Sequence, residues 1–202
     1  MIAIIDYGVG NLRSVEKALQ YIGLKAETTS DPETVRRADA VVLPGVGAYS
    51  DAMLSLKKHG MVDAVREAVT QNRPFLGICL GMQLLFDYSE EGGENIKGLG
   101  LFRGAIKALP RSEGLKVPHI GWNSLKLKES PLFKGLSDNP YVYFVHSFYL
   151  KAEDRSLVAA VCDYGVEFDA AVDRGRVFAA QFHPEKSGET GLTILKNWAA
   201  QI

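Results

Sequence analysis

The chain has 202 residues with 47% hydrophobic and 23% charged side chains, a composition typical of a globular protein that buries a sizeable core. Its formal net charge of −1 gives no electrostatic argument for a nucleic-acid or anionic-membrane partner, and no apolar stretch reaches the length of a membrane span. The two cysteines, Cys79 and Cys162, are too few for a disulfide framework or a metal cage. We therefore expect a reducing, cytoplasmic compartment and no metal or cofactor.

The first 90 residues alternate between apolar runs typical of buried strands and segments with helical spacing. The predicted elements are a strand at 1–6, a helix from about 11 to 22, a strand at 24–30, a helix at 31–38, a strand at 41–43, helices at 50–58 and 61–71, a strand at 73–78 and a helix at 79–89. No basic region precedes the first apolar run, which we interpret as a strand and not a signal peptide. This order predicts a parallel sheet with helices on both faces, and a ligand beyond the C-terminal strand ends.

The second half consists of short β-like segments separated by Gly, Pro, Asn and Asp, followed by an amphipathic closing helix. The segments are 98–109, 117–128, 141–150, 157–165 and 168–182, and the closing helix is predicted at 189–202. No linker, repeat or charge run interrupts the chain. We predict a single α/β domain over residues 1–202, with an open mixed sheet and helices on both faces.

The stretch FLGICLGMQ at 75–83 places Cys79 two residues from a glycine on either side. In one interpretation Cys79 is a small buried hydrophobe and the glycines mark a turn. In the other, a sharp strand-to-helix turn exposes a nucleophile at the top of the sheet, and glycines make room for it. A cysteine that begins a helix is also favoured as the thiolate, and the N–H of Leu80 would then face a developing oxyanion.

A cysteine nucleophile needs a base, and His183 stands out among the four histidines because it ends a strand-like run and opens QFHPEKS. In an extended segment residues i and i+2 point the same way, so Glu185 would hold the imidazole in the right tautomer. Taken alone, His183 is better interpreted as a strand-end histidine beside a solvated glutamate. Together with Cys79, it favours a catalytic triad.

GICLGMQ followed by FHPE resembles the class I, or triad, glutamine amidotransferases. The further motifs are DYGVGN at 6–11, PGVG at 44–47, PHIGWN at 118–123, YFVHS at 143–147 and QFHPEKS at 181–187. Together they resemble, nearly end to end, the family of glutaminase subunits of imidazole glycerol phosphate synthases. PGVG in particular distinguishes these subunits from relatives that carry other sequences in that loop. The resemblance implies a flavodoxin-like, class I glutamine amidotransferase fold.

The resemblance also implies roles for individual residues. Cys79 would attack the side-chain amide of L-glutamine, His183 would transfer the proton and Glu185 would orient the imidazole. The implied oxyanion hole consists of Val46, Gly47 and Leu80, after a rotation of the Gly45–Val46 peptide, and the implied substrate contacts are Gln83, Ser147 and Phe148.

A partner is implied as well. In the family a (β/α)₈-barrel cyclase subunit forms a heterodimer with the glutaminase, receives the ammonia through a channel and makes imidazole glycerol phosphate and an aminoimidazole carboxamide ribotide. Asn11, Trp122, Tyr143 and Lys186 would line that interface. Each has a plainer interpretation, as a helix cap for Asn11, core for Trp122 and Tyr143, and a solvated charge for Lys186.

The other reactive side chains are interpreted as structural: His119, His146, His59 at a helix end, and Cys162 in an apolar run. Three alternative functions remain open. The first is another triad amidotransferase of the anthranilate or carbamoyl phosphate type. The second is a flavodoxin-like binding module with an inert cysteine, and the third is a cysteine peptidase on a similar fold.

Overall fold

The computed structural model describes residues 1–93, 95–111 and 113–202. The strands are β1 (Ile2–Ile5), β2 (Ala26–Thr29), β3 (Ala40–Gly45), β4 (Phe75–Cys79), β5 (Phe86–Ser89), β6 (Ile96–Lys97), β7 (Phe102–Ala108), β8 (His119–Ser124), β9 (Lys126–Leu127), β10 (Tyr141–His146), β11 (Phe148–Ala152), β12 (Val158–Asp163), β13 (Glu167–Arg174) and β14 (Val177–Ala180). The helices are α1 (Leu12–Tyr21), α2 (Pro32–Arg37), α3 (Tyr49–Lys58), α4 (Met61–Thr70), α5 (Leu80–Gln83) and α6 (Gly188–Ala199).

Among the described residues, twelve strands form a mixed sheet at the centre of the protein, in which β12 pairs with β13 and with β9. At one end β2, β1, β3, β4 and β14 run parallel, in that order. Antiparallel pairing then continues through β13, β11 and β7, with β5 and β6 beyond β7. The pair β8 and β10 forms a separate antiparallel sheet. The predicted open mixed sheet is thereby confirmed.

Helices cover both faces of the sheet, and the parallel strands are therefore buried on both sides. In β1, Ala3 and Ile5 join one core cluster while Ile2 and Ile4 join the other, as the period of two requires. The first cluster packs against α2, α3 and α4, and the second against α1 and α6. Among the described residues no helix has the length and apolarity needed to cross a membrane.

The helix predicted at 79–89 is wrong after its first turn. The chain is helical only over Leu80–Gln83, and Phe86–Ser89 forms β5, which pairs with β7. Phe86 is fully buried, and its ring centroid lies 5.7 Å from that of Phe102. This packing across strands outweighs the local helical spacing.

The segment predicted at 141–150 splits into two strands that belong to different sheets. β10 ends at His146 and pairs with β8, whereas β11 begins at Phe148 and pairs with β7. Ser147 is therefore a crossing point between the sheets.

Candidate active site

Cys79 is the last residue of β4 and sits in a strained backbone conformation. Its φ of 54° and ψ of −111° are unusual for a residue that is not glycine, as expected for a nucleophile on a sharp strand-to-helix turn. The flanking glycines are required by close approach: a Cβ on Gly81 would lie 1.8 Å from the Leu43 carbonyl oxygen, and one on Gly77 would lie 3.0 Å from the Ala179 Cβ. The turn was predicted from GICLG, and the structure confirms it.

The register of the parallel strands brings the site together. Gly45 pairs with Cys79 across β3 and β4, and Ala180 pairs with Ile78 across β14 and β4. The residues that follow β14 therefore lie beside Cys79, and they include His183. Residues far apart in sequence meet at this edge because parallel strands end at the same side of a sheet.

His183 and Glu185 form a buried pair. The imidazole Nδ1 lies 2.8 Å from the Glu185 Oε1, and the two side chains are 2% and 1% exposed. The sequence predicted that these side chains meet because residues i and i+2 of an extended segment point the same way. That reason is wrong, because residues 184–186 form a 3₁₀ turn. The turn still places the carboxylate where it accepts the Nδ1 proton and leaves Nε2 for the thiol.

Electrostatics favour a charged imidazole at this position. Burial alone would lower the pKa of His183, but interactions with the anionic forms of Cys79 and Glu185 outweigh it and raise the pKa to about 10. Among the described residues Nε2 has no hydrogen-bond partner of its own. Because α5 is a single turn, its dipole is weak, and the charged imidazole is the stronger source of thiolate stabilisation.

A cavity of about 450 Å³ lies against the cysteine. Seven of the predicted site residues line it: Val46, Gly47, Cys79, Leu80, Gln83, Ser147 and Phe148. Lys186, predicted as an interface residue, lines it as well, together with Glu91, Pro118, Val145 and His146. The volume suits a single amino-acid-sized ligand better than a polypeptide.

Gln83 is 5% exposed and donates both amide hydrogens within the protein. Nε2 lies 3.0 Å from the Phe148 carbonyl oxygen and 2.8 Å from the Gln181 Oε1. Only the Gln83 Oε1 is left to meet a ligand, so this side chain can accept from a ligand but not donate to it. The carbonyl of Ser147 also accepts an internal bond, from the Leu109 N–H at 2.9 Å.

The 44–47 loop differs in one respect from expectation. The sequence suggested a state with positive φ at Gly45, but Gly47 carries the positive φ, at 93°. Gly45 is instead needed for close approach, because its Cβ would lie 2.7 Å from the Tyr7 hydroxyl and 2.9 Å from the Leu80 Cβ. The Tyr7 hydroxyl in turn donates to the Pro44 carbonyl at 2.9 Å, which anchors the start of the loop.

Three polar residues at the site, Gln181, Glu91 and His146, were not predicted to act there. Gln181 is fully buried and its Nε2 lies 3.5 Å from the Cys79 Sγ. Glu91 lines the cavity and accepts the Tyr49 N–H at 2.7 Å. His146, interpreted as structural, is buried at the cavity wall, and burial lowers its pKa to about 3. Gln181 stands two residues before His183, which was the available signal; nothing in the sequence pattern singled out Glu91.

Three of the residues predicted for a partner interface, Trp122, Tyr143 and Lys186, lie near one another on β8, β10 and the 3₁₀ turn. Trp122 is 54% exposed, so its interpretation as core is wrong. Its ring centroid lies 6.2 Å from that of Tyr143, its register partner, and the Lys186 Nζ lies 5.9 Å from the Tyr143 ring. Asn11 precedes α1 without a capping hydrogen bond from its side chain.

Comparison with known proteins identifies the family. The model of the class-I glutamine amidotransferases matches residues 3–202. The chain belongs to the class-I glutamine amidotransferase family. Over 203 residues it is 52% identical to the imidazole glycerol phosphate synthase subunit HisH of Caldanaerobacter subterraneus subsp. tengcongensis, covering 100% of this chain and 98% of that protein. The HisH subunit of Bacillus cereus is 53% identical over 203 residues, covering 100% of this chain and 95% of that protein.

Solved structures agree on the fold. The structure of PurLQS from Thermotoga maritima matches with a TM-score of 0.75 at 20% identity, covering 98% of this chain and 97% of that chain. A crystal structure of a glutamine amidotransferase matches with a TM-score of 0.74 at 20% identity, covering 98% of this chain and 100% of that chain. As a glutamine amidotransferase the chain is an enzyme, so a binding module with an inert cysteine and a peptidase are both excluded.

Proposed function

We propose that the chain is the glutaminase subunit of an imidazole glycerol phosphate synthase and that Cys79, His183 and Glu185 are its catalytic triad. The Cys79 thiolate attacks the side-chain amide carbon of L-glutamine, His183 gives a proton to the leaving nitrogen, and the C–N bond breaks to release ammonia. Water then attacks the γ-glutamyl thioester, His183 takes its proton, and glutamate and the thiolate are regenerated. The observation that carries this proposal is the buried His183–Glu185 pair, 2.8 Å apart, beside the strained turn at Cys79.

The polar groups of the cavity fit the amino-acid end of glutamine. The Gln83 Oε1 and the Glu91 carboxylate accept hydrogen bonds, which suits the α-ammonium group. The backbone N–H groups of Ser147 and Phe148 donate hydrogen bonds to the amino-acid end of glutamine. The carbonyl groups of these two residues do not take part, because they already accept hydrogen bonds within the protein.

Replacing Glu91 by glutamine is expected to raise KM for glutamine by about 10-fold or more with little change in kcat. The amide oxygen keeps the bond to the Tyr49 N–H, so the variant removes mainly the negative charge that faces the ammonium group. Steady-state glutaminase kinetics measure the effect. Glu90→Gln is the matched control, because Glu90 is a neighbouring surface carboxylate paired with Lys107 at 3.6 Å. Equal KM values for wild type and Glu91→Gln would contradict this role.

Val46, Gly47 and Leu80 form the oxyanion hole in this proposal. Leu80 opens a helix, so its N–H has no partner within that helix. Val46 is 38% exposed at the tip of the loop, beside the positive φ of Gly47, where a peptide rotates at low cost. A nucleotide bound to the partner would stimulate hydrolysis by favouring the rotated peptide.

Val46→Pro is expected to remove most of the stimulation by the partner's nucleotide, because proline has no N–H to donate. Loss of one oxyanion donor typically reduces the rate on the order of 100- to 1000-fold. The measurement is the glutaminase rate of the complex with and without nucleotide. Val46→Ala, which keeps the N–H and loses only the side chain, should retain stimulation. If the proline variant is stimulated like wild type, the donor lies elsewhere.

The partner in this proposal is a (β/α)₈-barrel cyclase that forms a cytoplasmic heterodimer with the chain. Trp122, Tyr143 and Lys186, with Asn11, face it. The cyclase receives the ammonia through a sequestered channel and joins it to a phosphorylated ribulosyl nucleotide, giving imidazole glycerol phosphate and an aminoimidazole carboxamide ribotide for histidine and purine synthesis.

A glutaminase assay with and without the cyclase tests the function. We expect little glutamate release from the chain alone and a large increase when cyclase and its nucleotide are added. Anthranilate and carbamoyl phosphate synthase partners serve as controls and should give no increase. Stimulation by one of those partners in place of the cyclase would identify a different triad amidotransferase.

A further inference from the structure

Two buried glutamine amides connect the Phe148 carbonyl to the Cys79 sulfur. The Gln83 Nε2 donates to the Phe148 carbonyl at 3.0 Å and to the Gln181 Oε1 at 2.8 Å. The Gln181 Nε2 then lies 3.5 Å from the Cys79 Sγ. Gln181 is 0% exposed and Gln83 is 5% exposed, so neither amide exchanges these contacts freely with water.

The orientation of both amides follows from the far end of this chain of hydrogen bonds. A backbone carbonyl only accepts, so the Gln83 atom that faces Phe148 must be the nitrogen. That nitrogen gives its second hydrogen to Gln181, so the facing atom of Gln181 must be oxygen. The remaining Gln181 group, the NH₂, therefore points at the sulfur of Cys79. His146 reinforces the anchor, since its Nδ1 lies 2.9 Å from the same Phe148 oxygen and its burial keeps it neutral.

The sheet register explains why Gln181 stands at the thiol. Ala180 pairs with Ile78, so the residue after β14 lies beside the residue that ends β4. The Gln181 backbone N–H donates to the Ala170 carbonyl at 2.8 Å, which fixes the main chain at this point. Burying an amide side chain is unfavourable unless its groups are hydrogen-bonded, and here both ends of the Gln181 amide have partners.

We propose that Gln181 is a positioning residue that stabilises the Cys79 thiolate and fixes the direction of its sulfur. A second group at the sulfur favours the neutral thiol, because the Val145 carbonyl oxygen lies 4.0 Å from Sγ as an acceptor for S–H. An amide N–H favours the anion, and a hydrogen bond to a charged group is stronger than one to a neutral group. This inference rests on the proposed function of Cys79 as nucleophile.

Other titratable groups around Cys79 act on it too. His183, held by Glu185, supplies the positive charge that favours the thiolate. Tyr7 lies on the segment after β1. Burial and the electrostatic interaction with Cys79 both raise the pKa of the Tyr7 hydroxyl. His146 on β10 is neutral, and Lys186 and Glu91 line the cavity. Gln181 differs from all of these because it is uncharged at every pH, so its loss shifts the titration without removing a titrating group.

The test is alkylation of Cys79 by iodoacetamide across pH in the full chain, for wild type and Gln181→Met, which is close in volume but has no donor. We expect the pH midpoint of alkylation to rise by about 1 unit or more, as loss of a hydrogen bond to a charged group implies. Glutaminase kcat in the cyclase complex should fall by about 10- to 100-fold, with a smaller change in KM. An unchanged alkylation midpoint overturns the proposal even if activity falls.

Two further variants separate positioning from a general structural role. Gln83→Met removes the group that orients Gln181, and combining it with Gln181→Met should leave the alkylation midpoint where Gln181→Met alone puts it. Additive shifts would show that the two amides act separately. Gln181→Asn, which keeps an amide but withdraws it from Sγ, should shift the midpoint in the same direction, and it decides the question if the methionine variant does not fold. Alkylation needs no glutamine, so failure of this inference is distinguishable from a wild type that does not hydrolyse glutamine.

Discussion

Cys79→Ala is expected to abolish glutamine hydrolysis while ammonia-dependent cyclisation in the complex survives. Only the thiolate forms the γ-glutamyl thioester, whereas the partner's reaction needs only ammonia. Two assays on one preparation measure the effect: glutamate release from glutamine, and product formation driven by an ammonium salt. We expect the first rate to fall to background and the second to match wild type.

Cys162→Ala is the matched control for this experiment. Cys162 is fully buried, and its burial raises the pKa of its thiol to about 12, so it is not available as a nucleophile. The control should keep both activities. Glutamine-dependent turnover by Cys79→Ala would show that the triad assignment is wrong, and loss of the ammonia-dependent reaction would show that the substitution disturbs the complex.

His183→Asn is expected to approach the defect of Cys79→Ala, with a loss on the order of 10⁴-fold in glutaminase rate. No base remains to activate the thiol, and no acid remains to protonate the departing ammonia. Glu185→Gln should be milder, because the amide oxygen still accepts the Nδ1 proton 2.8 Å away and only the negative charge is lost. Steady-state glutaminase kinetics in the complex rank the two variants.

The pH dependence supplies a second measurement. Since the pKa of His183 is raised to about 10, its imidazolium persists from acidic pH to well above neutrality, and it is lost only as the pH approaches 10. Alkylation of wild-type Cys79 should therefore be faster at neutral pH than alkylation of His183→Asn, which lacks the imidazolium.

His59→Asn is the control for this pair of measurements. His59 directly follows α3, where its Nδ1 lies 2.8 Å from the Ser55 carbonyl oxygen. This variant should keep wild-type kinetics and the wild-type rate of alkylation at neutral pH. Equal rates for His183→Asn and Glu185→Gln, or a harmless His183→Asn, would count against the triad geometry.

The sequence by itself determined the alternating first half and the mixed sheet, and it singled out Cys79, His183 and Glu185, the residues of the proposed triad. Buried parallel strands and amphipathic helices follow local rules: in α2, for example, Asp31 accepts the Glu33 and Thr34 N–H groups at 3.1 and 3.0 Å, as its position before Pro32 predicts. The sharp turn at Cys79 could also be predicted, because the sequence places glycines at 77 and 81. The structure shows that a Cβ has no room at either position.

Only the tertiary structure decided which residues surround Cys79. Gln181 and Glu91 reach the site through strand register and loop packing, which carry no short-range sequence signal. The chain beyond Gln83 was predicted as a helix but forms β5. Here too a long-range contact decides, because burial of Phe86 against Phe102 outweighs local helical spacing. Exposure of Trp122 depends likewise on which face of a two-stranded sheet remains uncovered, and that is settled by the packing of the whole chain.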